Sequence, residues 1–168
     1  IYRTLDRGSQ GICVPHVNTV EEAKNVVDAG KFAPIGERGM ATSRQGYGVN
    51  DYFLKANDES LLIVLIEDIK AVENLDEILK VDHIDVFFVA PNDLASTMGY
   101  IGRSTDKVVQ NVIDETLLNI SKSGRISGAL VTNQNVEHYK SLGVKFFATN
   151  ITPWVTSGFK EFSDKLGD

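Results

Sequence analysis

The residues in this chain best placed to do chemistry are Glu67 and Asp93. Each stands just past an apolar run, the first from Leu61 to Ile66 and the second from Ile84 to Ala90. Between the runs lies a stretch with apolar residues at Ala71, Val72, Leu75, Ile78 and Leu79, which has helical spacing. The order is strand, acid, helix, strand, acid. In a parallel α/β fold the side chains at strand C-termini meet in one crevice, where active sites collect. Glu67 and Asp93 are therefore expected side by side at that mouth. Two carboxylates so placed suit a hard divalent cation, which prefers oxygen ligands. The plainer reading is that an acid after a strand caps the next helix or sits in a solvated loop. Two such ends on consecutive strands weigh toward a site.

The rest of the chain supplies elements to hold these ends. Gly11 to Val17 reads as a buried strand broken by Pro15. Thr19-Val20-Glu21-Glu22 has the spacing of a capping box and opens a helix to about Ala29, with Gly30 expected just past its end. From Lys31 to Tyr47 the composition changes, with Pro34, Gly36, Gly39 and Gly46 surrounding Glu37, Arg38 and Arg44. A long loop of this kind in a compact domain is often functional. Asp51 to Glu59 reads as a short helix, and Leu94 to Tyr100 as a lid or turn. Thr105 to Ser123 carries a helical stripe of Val108, Val109, Val112, Ile113, Leu117 and Ile120. A strand from Ile126 to Val131 follows, then a helix capped by Asn133, then a strand from Lys145 to Ile151. Thr152-Pro153 reads as N-cap and first position of a closing helix, whose stripe is Val155, Phe159, Phe162 and Leu166. Trp154 and Phe159 are expected to pack that helix.

Five strands, each followed by helix, predict a parallel sheet with helical cover. Two architectures fit: an open doubly wound sheet, or the last five units of an eight-stranded barrel. No Gly-x-Gly-x-x-Gly or P-loop sequence supports a nucleotide-binding fold. No linker or low-complexity segment divides residues 1–168, which read as a single domain.

The 168 residues suffice for a sizeable core, and 42% hydrophobic with 24% charged residues is ordinary for a soluble globular chain. A net charge of −6 argues against a sequence-independent nucleic-acid surface. No apolar run is long enough to span a bilayer. The first residues, Ile1-Tyr2-Arg3-Thr4, hold no signal-peptide core, and because Ile1 is not a methionine the chain is expected to begin inside a longer protein. The single cysteine, Cys13, rules out an internal disulfide and is expected to be buried as a small hydrophobe, in keeping with a reducing cytoplasmic setting.

Four segments in order resemble one family. They are Gln10 to Ala23; Phe32-Ala33-Pro34-Ile35-Gly36-Glu37-Arg38-Gly39; Ile66-Glu67-Asp68 with Glu73 to Ile78; and Phe88 to Ala95. The family is the HpcH/HpaI aldolases, metal-dependent class II pyruvate aldolases, and the similarity runs from about Ile1 to Val155. It implies a (β/α)8 TIM barrel of the pyruvate/phosphoenolpyruvate superfamily, of which this chain holds strands 4 to 8, with the first three βα units absent. It also implies that Glu67 and Asp93 bind a divalent metal (Mg²⁺, Mn²⁺ or Co²⁺), with waters and a 2-oxo acid completing the shell. The expected reaction cleaves a 4-hydroxy-2-oxo acid to pyruvate and an aldehyde through a metal-stabilised enolate. Backbone amides around Asn92 and Asp93 would hold the pyruvate carboxylate. The family's catalytic histidine, with its acidic partner, and a carboxylate-binding arginine belong to the absent units. Two positions depart from the pattern: Leu65 stands where glutamine is frequent and Ala90 where glycine is usual. In this superfamily the last helix is exchanged between subunits, which implies a homo-oligomer, a hexamer in complete members.

Some assignments stay open at the level of sequence. His16 ends the first strand and reads either as a residue facing the mouth or as a position of no chemical consequence. His83 and His138 are expected on the surface. Arg38 reads as a fixing charge in its loop or as a contact to a substrate acid. A citrate-lyase-type enzyme cleaving a CoA thioester is the enzymatic alternative. A half-barrel that binds metal without turnover is the non-enzymatic one.

Overall fold

A computed structural model describes residues 1–40 and 44–167. Strands β1 (Gly11–Val14), β2 (Leu61–Ile66), β3 (Val86–Val89), β4 (Ser127–Val131) and β5 (Phe146–Thr149) form one parallel sheet in sequential order. Registers of Cys13 on Ile63, Leu65 on Phe88, Phe88 on Gly128 and Gly128 on Phe146 set which side chains share a face. Neighbours in parallel register point the same way. One face thus carries Cys13, Ile63, Leu65, Val86, Phe88 and Phe146, and the other Leu62, Val64, Ile66, Phe87, Val89, Ala129 and Val131. The second set lies in the main core with the helices. On the first face the Phe88 and Phe146 rings meet edge to face at 6.2 Å. They close over Gly128, where a Cβ would lie 2.7 Å from the Phe88 ring.

The helices are α1 (Tyr2–Asp6), α2 (Val20–Gly30), α3 (Tyr52–Glu59), α4 (Ile69–Glu73), α5 (Leu75–Ile78), α6 (Pro91–Thr97), α7 (Lys107–Lys122), α8 (Val136–Ser141) and α9 (Thr152–Leu166). The capping box forms as its spacing predicts: Thr19 Oγ1 accepts from Glu22 N–H, and Glu22 Oε2 accepts from Thr19 N–H. In α7, Val109, Ile113, Leu117 and Ile120 are buried, whereas Val108 turns outward. Each such buried aliphatic side chain is worth about 1.5–3 kcal/mol of transfer free energy.

Several expectations are corrected. Leu94 to Thr97 is not a lid but the body of α6, because Leu94 and Ala95 are fully buried against the core. Gly30 is the last residue of α2, and Lys31 takes the C-cap in an extended conformation. The α8 N-cap is Asn135 rather than Asn133, since the Asn135 side chain closes a turn by accepting from Thr132 N–H. Helix α9 starts one residue early, with Ile151 as N-cap and Asn150 Oδ1 accepting from Thr152 N–H. Its apolar stripe does not pack on this chain: Trp154, Val155, Phe159, Phe162 and Leu166 are all exposed. Cys13 is exposed as well, because it lies on edge strand β1 and faces away from the helical layer.

The loop after α2 is stitched down as far as it is described; its residues 41–43 lie outside the described set. Asn57 clasps Phe32 with paired bonds to its N–H and carbonyl at 2.7 and 2.9 Å. Lys31 is buried and donates from Nζ to the carbonyls of Asn57 and Ser60, both at 2.6 Å. Burial lowers the pKa of this ammonium, partly opposed by the Asp85 and Asp58 carboxylates. Its folded value lies below the unfolded value of about 10.5. The group's stabilising contribution is therefore fully present above about 10.5 and is lost as pH falls through the folded value. Urea unfolding of the wild type and Lys31→Met should show the difference in stability rising with pH across that window. A flat difference would contradict desolvation of the ammonium.

Candidate metal site at the strand ends

Strand β2 ends at Ile66, which pairs with Val89 of β3, and the Ala90 N–H donates to the Ile66 carbonyl at 3.2 Å. Glu67 thus emerges level with Ala90, and α6 begins at once with Pro91 as its first residue. Alternation from Ile63 and Leu65 directs Glu67 to the face opposite the main core. The acids after the two strands divide their roles. Asp68 caps α4, its carboxylate accepting from Lys70 N–H at 2.9 Å. Glu67 caps nothing. Nor does Asp93, which lies in the first turn of α6, whose N-cap is Ala90. Beside Glu67 the capping role is thus filled by Asp68, while Asp93 places a carboxylate in the first turn of α6.

Glu67 is 3% exposed, and Oε1 accepts from the His16 backbone N–H at 2.8 Å. The His16 Nδ1 lies 3.2 Å from the same oxygen, with the imidazole largely in solvent. Among the described residues no lysine or arginine pairs with Glu67. A buried carboxylate without a cationic partner is costly. A bound cation would remove that cost, so the donor set fits a metal. The described residues contain no cluster of three or more His, Cys, Asp or Glu able to hold an ion. An ion held by fewer side chains than that would draw further oxygens from water or substrate.

Asn92 and Asp93 are exposed at the start of α6. Their N–H groups belong to the first turn, where no intrahelical acceptor exists. Leu65 and Ala90 flank the mouth, each partly buried beside the Ile63, Val86 and Phe88 cluster. The thiol of Cys13, on the same face, is exposed at its edge but partly desolvated by the neighbouring strand residues, which together with the Glu67 carboxylate raises its pKa.

The remaining polar candidates lie elsewhere. The Arg38 side chain is fully buried, with Nη2 2.7 Å from Asp6 Oδ1 and the guanidinium 4.4 Å above the Phe32 ring. It ties the loop to α1. His138 pairs with Asp114 across α7 and α8 at 2.8 Å. His83 is exposed in a left-handed turn before β3, with φ 64°. The contact that sequence reasoning missed is the His16 amide on Glu67. It depends on a non-glycine φ of 56°, which leaves no mark in composition or spacing.

A sequentially ordered parallel α/β sheet with carboxylates past consecutive strands defines a class, the barrel-type α/β proteins that work at their strand ends. The particular family follows from comparison. The family model described as HpcH/HpaI aldolase/citrate lyase matches residues 1–152, and the chain belongs to that family. It is 35% identical over 156 residues to a 4-hydroxy-2-oxo-heptane-1,7-dioate aldolase of Escherichia coli, covering 90% of this chain and 60% of that one. It is also 35% identical to a hydroxypyruvate/pyruvate aldolase of Roseovarius nubinhibens, covering 90% and 61%. The chain thus spans about three-fifths of the length of these relatives. Among solved structures, an HpcH/HpaI aldolase/citrate lyase family protein from Burkholderia cenocepacia superposes with a TM-score of 0.89 at 23% identity, covering 99% of this chain and 68% of that one. The β subunit of Mycobacterium tuberculosis citrate lyase, complexed with oxaloacetate and magnesium, gives 0.56 at 15%, covering 84% and 56%. These two likenesses concern the fold. Among the described residues no helix is long and apolar enough to cross a membrane.

Proposed function

We propose that this chain carries the metal-binding part of a class II aldolase that cleaves a 4-hydroxy-2-oxo acid to pyruvate and an aldehyde. The observation that carries the reading is the buried Glu67 carboxylate, without a cationic partner among the described residues, at a strand end level with the start of α6. Glu67 and Asp93 would hold the divalent ion, with Mg²⁺, Mn²⁺ and Co²⁺ all compatible with oxygen donors. When bound, such an ion supplies Lewis-acid polarisation of the 2-oxo group. The first-turn amides of Asn92 and Asp93 would receive the substrate carboxylate, since helix N-termini favour anions. The apolar residues around Leu65 and Phe88 would keep bulk water from that carboxylate. The base that takes the hydroxyl proton belongs, on this reading, to βα units preceding this chain. Residues 1–168 would then supply strands 4 to 8 of a (β/α)8 barrel in the pyruvate/phosphoenolpyruvate superfamily. A single cysteine fits a cytoplasmic setting. The 35% identity to two aldolases favours this reading over cleavage of a CoA thioester.

The test is exchange of the pyruvate methyl protons with D₂O, followed by NMR with Mg²⁺ and with an EDTA control. Magnesium-dependent exchange is expected, with solvent hydroxide or buffer taking the methyl proton in place of a protein base. Exchange no faster than in EDTA would overturn enolisation by this chain.

The uncovered stripe of α9 supports an oligomer. Trp154, Val155, Phe159 and Phe162 border a shallow groove of about 360 Å³, and contiguous apolar surface of this kind marks interfaces. A second copy of the chain would cover it. Sedimentation should show an assembly that Phe159→Glu dissociates, and an unchanged size distribution would sink the idea.

A further inference from the structure

Two groups of one residue converge on a single oxygen of Glu67. The His16 N–H donates to Oε1 at 2.8 Å and Nδ1 lies 3.2 Å from it. Oε2 has no hydrogen-bond partner among the described residues, and it is not among the sealed polar atoms left without one. It therefore keeps an open edge. The N–H points at the carboxylate because His16 lies in the left-handed region, at φ 56°, directly after the Pro15 that ends β1. Non-glycine residues adopt this conformation at a cost and hold it only where surrounding structure demands it. The adjoining Val17 is buried in the core, and the capping box at Thr19 anchors the next helix, so both sides of the turn are fixed.

We propose that His16 is a positioning residue: its backbone amide holds Oε1 of Glu67 and thereby presents Oε2, alone, to the divalent cation. The inference rests on the reading of Glu67 as a metal ligand. It goes further by assigning one-oxygen binding and by giving the turn after β1 a role. The operative group is the amide and not the imidazole, since the ring stands largely in solvent while the N–H reaches a buried oxygen. Fixing a ligand oxygen through a neighbouring donor is a common way to tune metal affinity, and losing such a partner typically costs 10–100-fold.

The test is Mn²⁺ affinity, measured by EPR titration of free Mn²⁺, with the thermal midpoint in EDTA as a control for folding. His16→Gly keeps the N–H and adopts the left-handed turn without strain, and should bind within about two-fold of wild type. His16→Pro removes the N–H and should weaken binding about ten-fold or more. His16→Val keeps the N–H but disfavours the turn, and should bind several-fold more weakly than His16→Gly; this pair decides the matter if His16→Pro does not fold. Equal loss in the Gly and Pro variants would assign the effect to the imidazole and overturn the proposal. So would wild-type affinity in the Pro variant, or equal affinity in the Gly and Val variants. Glu67→Gln separates the two levels: if it binds Mn²⁺ as wild type does, the metal reading itself fails, whatever the His16 variants show.

Discussion

Glu67→Gln should lower Mg²⁺ affinity at least 100-fold, or about 2.8 kcal/mol at 1.4 kcal/mol per decade, and abolish magnesium-dependent pyruvate exchange. The amide keeps the shape of the side chain and can still accept from the His16 N–H, so the geometry of the mouth should survive. What disappears is the negative charge. In the metal-free protein that charge is buried with an imidazole and an amide as its only described partners. Removing an uncompensated buried charge tends to stabilise a fold. The metal-free variant should therefore unfold at the same temperature as wild type or higher. A purely structural Glu67 would behave in the opposite way, with stability falling and metal affinity unmoved. Calorimetric titration with Mg²⁺ and a thermal melt in EDTA together discriminate the two.

Gly36→Ala should cost about 3 kcal/mol, at the upper end of ordinary overpacking. A Cβ at Gly36 would lie 2.6 Å from the carbonyl oxygens of both Lys31 and Val27, and 3.1 Å from Asp28 Cα. These are backbone atoms already engaged. The Val27 carbonyl accepts from Lys31 N–H and the Lys31 carbonyl from Arg38 N–H, at 2.9 and 3.0 Å. Neither can move without unpicking the end of α2 or the seat of Arg38, whose guanidinium is sealed inside. A side chain cannot rotate away from such a clash, so the loop must shift as a unit. At roughly 2–4 °C per kcal/mol for a chain of this size, the melting temperature should drop by about 6–12 °C. Gly39, three residues on, has no atom of the described residues within 4 Å of where its Cβ would be. Gly39→Ala should change stability by less than about 0.5 kcal/mol. Equal effects in urea unfolding would refute the close-approach argument.

The loop containing Gly36 shows how far composition carries. Its Pro, Gly and Arg content marks it as a special segment, but not what makes it special. The sequence left Arg38 between a structural tie and a substrate contact. The structure seats it on Phe32 and against Asp6 of α1, a partner 32 residues away. Cys13 illustrates the converse. An apolar run predicted burial, yet alternation alone cannot say which face of a strand is covered, and the face of β1 that carries Cys13 lies away from the helices. The supposed lid after Asp93 is a helix because Leu94 and Ala95 bury themselves in the core, where tertiary packing overrides a Ser-Thr-Met-Gly composition that looks like a turn.

By itself the sequence determined the βα order, the capping box at Thr19 and the two carboxylates just beyond consecutive apolar runs. Hydrophobic periodicity and side-chain capping are local, so one chain of letters records them. The tertiary structure alone decided which acid caps a helix and which does not. Asp68 and Glu67 are adjacent and chemically alike, yet one faces Lys70 N–H and caps a helix while the other is turned inward. There Glu67 meets the amide of His16, 51 residues earlier in the chain. That contact requires β1 and β2 to lie in parallel register and a left-handed residue between β1 and α2. Both are products of long-range packing, which no local pattern encodes.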